Sequence, residues 1–478
     1  MSESPTSIPA VERAAREALD ASLMRLRGEP VGTVAARDVR PEPLNYHHCF
    51  TRDFFVSALV FLLTDRAGIV RRFLEVLVEL HSRDRSTDCF RPGQGLMPAS
   101  FIVRRTDAGE ALVADFGEHA IARVTPVDSG FWWLLLLRAY TRISGDGELA
   151  RRPAFQEAIR LIVDVGLEAR YQMLPTMLVP DGAFMIDRRM GVYGHPLEIQ
   201  TLLFVGLRSA RELLAPDDPL QEPVARRLEH LLHHVRSYYW VDLARLDRIH
   251  RFPVEEYGRG IENHFNIQPD SIPSWLPPWL PDEGGYLVGN LGPGRMDFRF
   301  FAQGNLLAVL GALASVEQAR AILRLLEQRW DDLVGRMPMK LVFPALEGRD
   351  WELVTGMDAK NRPWSYHNGG SWPCLLWALT AAAQRAGRQD LAHAALEIAA
   401  RRIAVDDWPE YYDTPAGRLV GRQARRKQTW TAAGFLAALE LLRDGRGLEM
   451  LAFEDDIDPS SCAQADPLAT REDPTEGE

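Results

Sequence analysis

The chain of 478 residues has only four cysteines, Cys49, Cys89, Cys374 and Cys462, scattered without any C-x-x-C spacing. That excludes a disulfide framework and a cysteine zinc site, and a reducing compartment is the simplest setting. Long apolar runs are also missing. The longest, such as Phe131 to Leu137, is far too short to cross a bilayer, so no membrane partner is expected. Met1 to Ile8 has neither a charged n-region nor an apolar h-region, as expected of a cytoplasmic protein without a signal peptide. Basic residues are outnumbered by acidic ones, 55 to 66. Net charge is −11, and between Leu448 and Glu478 ten acidic residues face a single arginine. The remaining body is near neutral and lacks the basic stripe that a nucleic-acid partner requires. The acidic end, 448–478, reads as a solvating, disordered tail.

Familiar catalytic signatures are absent as well. There is no H-E-x-x-H, no G-x-x-x-x-G-K-[ST] and no G-x-S-x-G, and Gly289, Gly292 and Gly294 lack dinucleotide spacing. Adjacent histidines rarely reach one ion, so His47-His48 reads as structural, and His233-His234 is expected to be solvated on an outer helix. No metal and no cofactor is expected.

What is there is helical periodicity. It predicts twelve helices, at 9–26, 52–65, 68–82, 130–144, 153–169, 196–214, 222–239, 300–313, 316–334, 371–386, 388–403 and 428–443. Strand patterns are few; Glu110 to Asp115 and Gly417 to Gly421 could pair in short hairpins. Connections alternate between short turns and long loops, and long loops are usually functional. Helices that follow a long loop are apolar all round, such as Phe54 to Leu63. Those that precede one carry a charged face, as in Arg71 to Leu80. An all-apolar helix belongs inside and an amphipathic one outside. Two concentric rings of six make an all-α (α/α)6 barrel with its long loops at one end. Residues 1–26 would supply the first outer helix and 27–447 the remainder of one catalytic domain. A solenoid of stacked helix pairs would not explain why one helix of each pair is wholly apolar.

The long loops collect tryptophan, histidine, asparagine and carboxylates, a mixture that suits a polyhydroxylated ligand, whose C–H faces stack on rings while its hydroxyls take polar partners. Glycoside hydrolysis needs two carboxylates flanking the bond. Asp187 lies in the third long loop and Glu410 in the sixth, half a turn apart in a ring of six. Asp53, Asp128, Asp297 and Asp413 are alternatives that topology alone does not rank.

Eight motifs in order resemble the alkaline/neutral invertases, glycoside hydrolase family 100. They are Asn45-Tyr46, Arg52-Asp53-Phe54, Met97 to Phe101, Ala114 to Glu118, Pro126 to Trp133, Met185-Ile186-Asp187-Arg188-Arg189-Met190-Gly191 and on to Gly194, Trp364 to Trp372, and Trp408-Pro409-Glu410-Tyr411-Tyr412-Asp413. The match runs from about Asn45 to Leu442. It implies an (α/α)6 barrel that hydrolyses sucrose with inversion at glucose, Asp187 being the general acid and Glu410 the general base. It also suggests a homo-oligomer. One departure is His47-His48-Cys49, where better-known members carry Asp-Gln-Val; it bears on the lining of the first loop. For the glucosyl subsite the expectation falls on Arg52-Asp53, because a similar pair binds sugar hydroxyls in the glucoamylases. Asp128, Asp297, Arg299, Gln303, His367, Asn368 and Trp372 are further substrate-binding candidates, with helix N-capping the other reading of Asp128 and Asp297. A general acid must hold its proton, so Arg188 is expected to point away from Asp187 toward a structural carboxylate. Two other functions stay open: an inverting α-glucosidase of the same fold acting on another disaccharide, and a non-catalytic sugar-binding protein.

Overall fold

The structure is a computed structural model that describes residues 4–38, 45–84, 93–107, 109–119, 127–167, 174–179, 184–186, 188–251, 272–292 and 295–454. Twelve barrel helices run in chain order: α1 Ile8–Ala21, α2 Thr51–Leu63, α3 Ala67–Leu80, α4 Asp128–Ser144, α5 Pro153–Leu167, α6 Leu197–Leu213, α7 Gln221–His234, α8 Ala302–Leu310, α9 Val316–Gln328, α10 Leu376–Arg385, α11 Gln389–Ala400 and α12 Thr429–Arg443. Each falls within one of the twelve predicted segments, give or take a turn.

Burial separates the two sets. In α1 only Val11, Ala15 and Leu19 are buried, a single stripe of one residue per turn. In α2 every residue but Arg52 and Asp53 is buried. The even-numbered helices pack neighbour to neighbour, and the ring closes where α12 meets α2. The odd-numbered helices lie outside, with α1 on α12, α3 on α2 and α4, and α11 against α10 and α12. This is the expected (α/α)6 barrel. Its axis is filled by Phe55 of α2, Trp132 of α4 and Trp377 of α10, with ring centroids 4.7, 5.4 and 6.5 Å apart.

Several ends differ from expectation for local reasons. The first helix stops at Ala21, not 26. Arg27 (φ 53°) and Gly28 (φ 86°) make a tight reversal instead, and Leu23–Leu26 pairs with Glu29–Thr33. The hairpin β1 Ser100–Thr106 and β2 Gly109–Asp115 includes the predicted strand, and Leu419–Val420 pairs with Tyr412–Asp413. An unpredicted hairpin, β3 Gly285–Gly292 and β4 Arg295–Phe301, precedes α8. His234 is not solvated: it is buried against Tyr238 at 4.7 Å, and burial pushes its imidazole down to about 4.

The boundary expected at 447/448 lies inside packed structure. Arg446–Leu451 is helical, and Phe453 is 3% exposed. Three arginines from the inner ring hold this segment. Arg138 of α4 donates to the Met450, Leu451 and Ala452 carbonyls, Arg385 of α10 to the Phe453 carbonyl at 2.9 Å, and Arg208 of α6 to the Glu454 carbonyl. The Arg138 guanidinium lies 3.7 Å from the Phe453 ring centroid, a cation–π contact. The chain thus caps one barrel end with its own C-terminal segment, leaving the long loops at the other.

Candidate active site

At the loop end the inner helices present their N-terminal turns, whose unpaired N–H groups and positive dipole ends favour carboxylates. Asp53 occupies the first turn of α2, Asp128 that of α4 and Glu198 that of α6. Arg52 reaches from α2 to Asp128, Nη1 to Oδ2, at 2.5 Å. Neither Asp128 nor Asp297 caps a helix through its side chain. Asp128 takes Arg52, and Asp297 sits in β4, paired at 2.8 and 2.5 Å with Arg299.

Asp128 and Glu198 are buried and Asp53 is partly buried, and one guanidinium cannot neutralise all three. Burial raises Asp53 to about 7; Arg52 pulls the other way, and Glu410 and Asp128 add to the rise. Burial likewise raises Glu198 to about 8 against the pull of Arg52, with Asp128 adding to the rise. Near neutral pH Glu198 is therefore largely protonated, and Asp53 is divided between its two forms. The cluster can both donate to and accept from hydroxyl groups.

Glu410 lies across the ring, in the loop between α11 and α12, and is 4% exposed. Both carboxylate oxygens are held. The Tyr46 hydroxyl donates to Oε1 at 2.9 Å and the Arg425 N–H to Oε2 at 3.3 Å. Burial, then the charge of Glu410, pushes the Tyr46 phenol well above its ordinary value, so it remains a donor. The Arg425 guanidinium lies 5.0 Å from the Tyr46 ring centroid.

Asp187 lies outside the described residues, as does the Arg188 side chain, so the expected orientation of Arg188 has no counterpart here. Their flanks are placed. Met185 and Ile186 are buried, and the Met185 N–H donates to Glu198 Oε1 at 3.4 Å. Arg188–Met190 forms a 3₁₀ turn, and Arg189 pairs with Asp358 at 3.0 Å. One of the two motif arginines is thus occupied by a carboxylate outside the motif.

The other candidates divide. Gln303 of α8 is buried and donates to Glu198 Oε1 at 3.3 Å, joining the acid cluster. His367 stacks on Tyr366 at 3.8 Å, and burial, with Lys360, Arg189 and Arg52 nearby, lowers its imidazole well below the ordinary value. Asp297 and Arg299 line a cavity of about 290 Å³ with Met190, Gly191 and Tyr193 of the Asp187 loop. Two further candidates contact the protein's own backbone. Asn368 is fully buried, accepts from the Leu346 N–H at 2.6 Å and donates to the Leu346 and Asn361 carbonyls, so its amide is committed to backbone. Trp372 is 1% exposed, donates to the Tyr366 carbonyl and stacks on Tyr411 at 5.6 Å, leaving no face open to a sugar. Both build the loop framework. His48 is buried with its Nδ1 3.1 Å from Ser100 Oγ, and among the described residues no group of three or more His, Cys, Asp or Glu is placed to hold a metal.

Sequence reasoning missed Glu198, Tyr46 and Arg425 as individual residues. An acid in the first turn of an otherwise apolar inner helix was the available signal for Glu198.

A closed (α/α)6 barrel with carboxylates gathered at the loop end of its inner helices is the build of a glycoside hydrolase. A family profile described as alkaline and neutral invertase matches residues 15–445. The chain is 49% identical over 459 residues to neutral/alkaline invertase 1, mitochondrial, of Oryza sativa subsp. japonica, covering 94% of this chain and 73% of that one. It is 50% identical over 446 residues to cytosolic invertase 1 of the same plant, covering 92% and 79%. It is 49% identical over 449 residues to probable alkaline/neutral invertase F of Arabidopsis thaliana, covering 92% and 89%. The chain belongs to the alkaline and neutral invertase family. Solved structures share the fold at low identity: a wild-type glycosidase (TM-score 0.57, 14% identity, covering 94% of this chain and 100% of that one) and a bacterial glucoamylase complexed with acarbose (0.53, 13%, covering 93% and 56%).

Proposed function

We propose that the protein hydrolyses sucrose to glucose and fructose with inversion at glucose. Asp187 protonates the glycosidic oxygen as fructose leaves, and Glu410 takes a proton from a water on the opposite face of the glucosyl ring. Such a mechanism calls for carboxylates roughly 6.5–9.5 Å apart, with room for the water. The observation that carries the proposal is the setting of Glu410. It is almost wholly buried at the barrel mouth, and two donors, Tyr46 and the Arg425 N–H, fix the direction of its oxygens. A base held in this way needs little reorganisation in the transition state.

Arg52 and Asp53, flanked by Asp128 and His367, form the glucosyl subsite. The acid cluster favours a neutral polyol over an anionic substrate. Glu198 orients the loop before Asp187 through the Met185 N–H. The relatives are named cytosolic in one case and mitochondrial in another. For this chain we propose the cytoplasm, consistent with the buried free thiols of Cys49 and Cys374, and a homo-oligomer, to be read by light scattering.

Glucose release from sucrose, maltose and trehalose by the purified protein tests the substrate. Sucrose is expected to be cleaved and the other two left intact. Preference for maltose or trehalose would support the α-glucosidase alternative, and no turnover at all the sugar-binding one.

A further inference from the structure

The sequence Arg422-Gln423-Ala424-Arg425-Arg426-Lys427 puts four cations into six residues of a chain whose net charge is −11. Arg425 turns inward to the Tyr46 ring. Arg422, Arg426 and Lys427 remain exposed on the outer side of the same loop, where Arg37 joins them. Together with Asp38 and Asp407 these four line an open cavity of about 550 Å³. Among the lining residues, four cations face two carboxylates. The Arg426 guanidinium donates to the Asp406 carbonyl at 3.1 Å, and the Arg422 N–H donates to Asp413 Oδ2 at 3.0 Å.

The cavity is built from ordered backbone. The Lys427 N–H donates to the Asp407 carbonyl at 2.8 Å, the Arg37 N–H to the Lys427 carbonyl at 3.1 Å, and the Arg426 N–H to Asp38 Oδ2 at 3.1 Å. Lys427 (φ 52°) and Asp407 (φ 64°) both adopt the left-handed region without being glycine, a conformation that persists only where surrounding structure enforces it and that clusters at ligand sites.

We propose that this cavity binds the phosphomonoester of a small sugar. The guanidinium groups offer the forked donors that phosphate oxygens take in pairs. The volume exceeds what a bare phosphate fills, and Asp407 in the lining is an acceptor suited to a sugar hydroxyl. The site shares no lining residue with the acid cluster and connects to it through the backbone: Ala424 and Arg426, which line the cavity, flank Arg425, whose carbonyl accepts from the Glu410 N–H at 2.8 Å.

The test is isothermal titration at low salt with glucose 6-phosphate, inorganic phosphate and glucose, each repeated in excess unphosphorylated glucose to fill any neutral-sugar site. Glucose 6-phosphate is expected to bind in the presence of glucose, more tightly than inorganic phosphate, and at least about tenfold more weakly in the Arg37→Gln/Arg426→Gln/Lys427→Gln variant. Arg422→Gln alone gives a second, milder variant with a smaller loss, and melting temperatures report whether each is folded. No binding to the unaltered protein, or equal binding to a folded triple variant, would overturn the site. Equal affinity for phosphate and glucose 6-phosphate would overturn the assignment of a sugar.

Discussion

Glu410 and Arg425 are joined at two points: the Glu410 N–H donates to the Arg425 carbonyl at 2.8 Å, and the Arg425 N–H returns a bond to Glu410 Oε2 at 3.3 Å. With the Tyr46 hydroxyl on Oε1, the carboxylate is fixed in direction before any substrate arrives. Tyr46→Phe removes one neutral donor to a charged group, a loss of about 1.5–3 kcal/mol and so roughly ten- to hundredfold in kcat, with KM little changed. Asp187→Asn and Glu410→Gln remove the proposed acid and base themselves and are expected to lower kcat by about 10²–10⁴-fold with the fold intact. Initial rates beside circular dichroism check all three, and full activity in either carboxylate variant would strike that residue from the mechanism.

The acids of the cluster make stability depend on pH. An acid whose pKa is higher in the folded protein binds its proton more tightly there, so folding is favoured at low pH and loses ground as pH rises through the folded value. For Asp53, raised to about 7, and Glu198, raised to about 8, that loss runs from the ordinary carboxylate range upward and is complete above about 8. Glu198→Gln removes one contribution. Its melting temperature is expected to fall less steeply than that of the unaltered protein between about pH 5 and pH 9. Parallel curves would contradict the assignment of a protonated Glu198.

Much of the architecture could be read from the sequence because the two helix sets differ in kind. A stripe such as Val11, Ala15 and Leu19 and an all-apolar run such as Phe54 to Leu63 leave little choice of layer. The β3–β4 hairpin escaped because its glycines resembled a loop, although Met296, Phe298 and Phe300 recur at every second residue. Arg52, Asp53, Asp128 and Glu410 were legible as loop-end polar residues. The backbone partners of Asn368 and Trp372 were not legible, because an amide or indole at a loop–helix junction looks the same in sequence whether it faces a sugar or a backbone carbonyl. Glu198 stayed hidden because a first-turn acid is also what an ordinary helix start uses.

The C-terminal cap is expected to matter for stability and not for turnover. Phe453 is buried beneath the Arg138 guanidinium at the barrel end away from the loops. Phe453→Ala should cost roughly 3–5 kcal/mol by opening a cavity there. Urea denaturation should show the lowered midpoint, while KM for sucrose stays within about twofold, since no loop-end contact changes. A raised KM with an unchanged midpoint would place Phe453 in communication with the site instead.

The central claim is inversion by a water placed between two opposed carboxylates. NMR of glucose in the first minutes of sucrose hydrolysis, before mutarotation, tests it most directly. β-Glucose appearing first is the expected result; α-glucose appearing first would mean a covalent glycosyl–enzyme intermediate and would contradict the account.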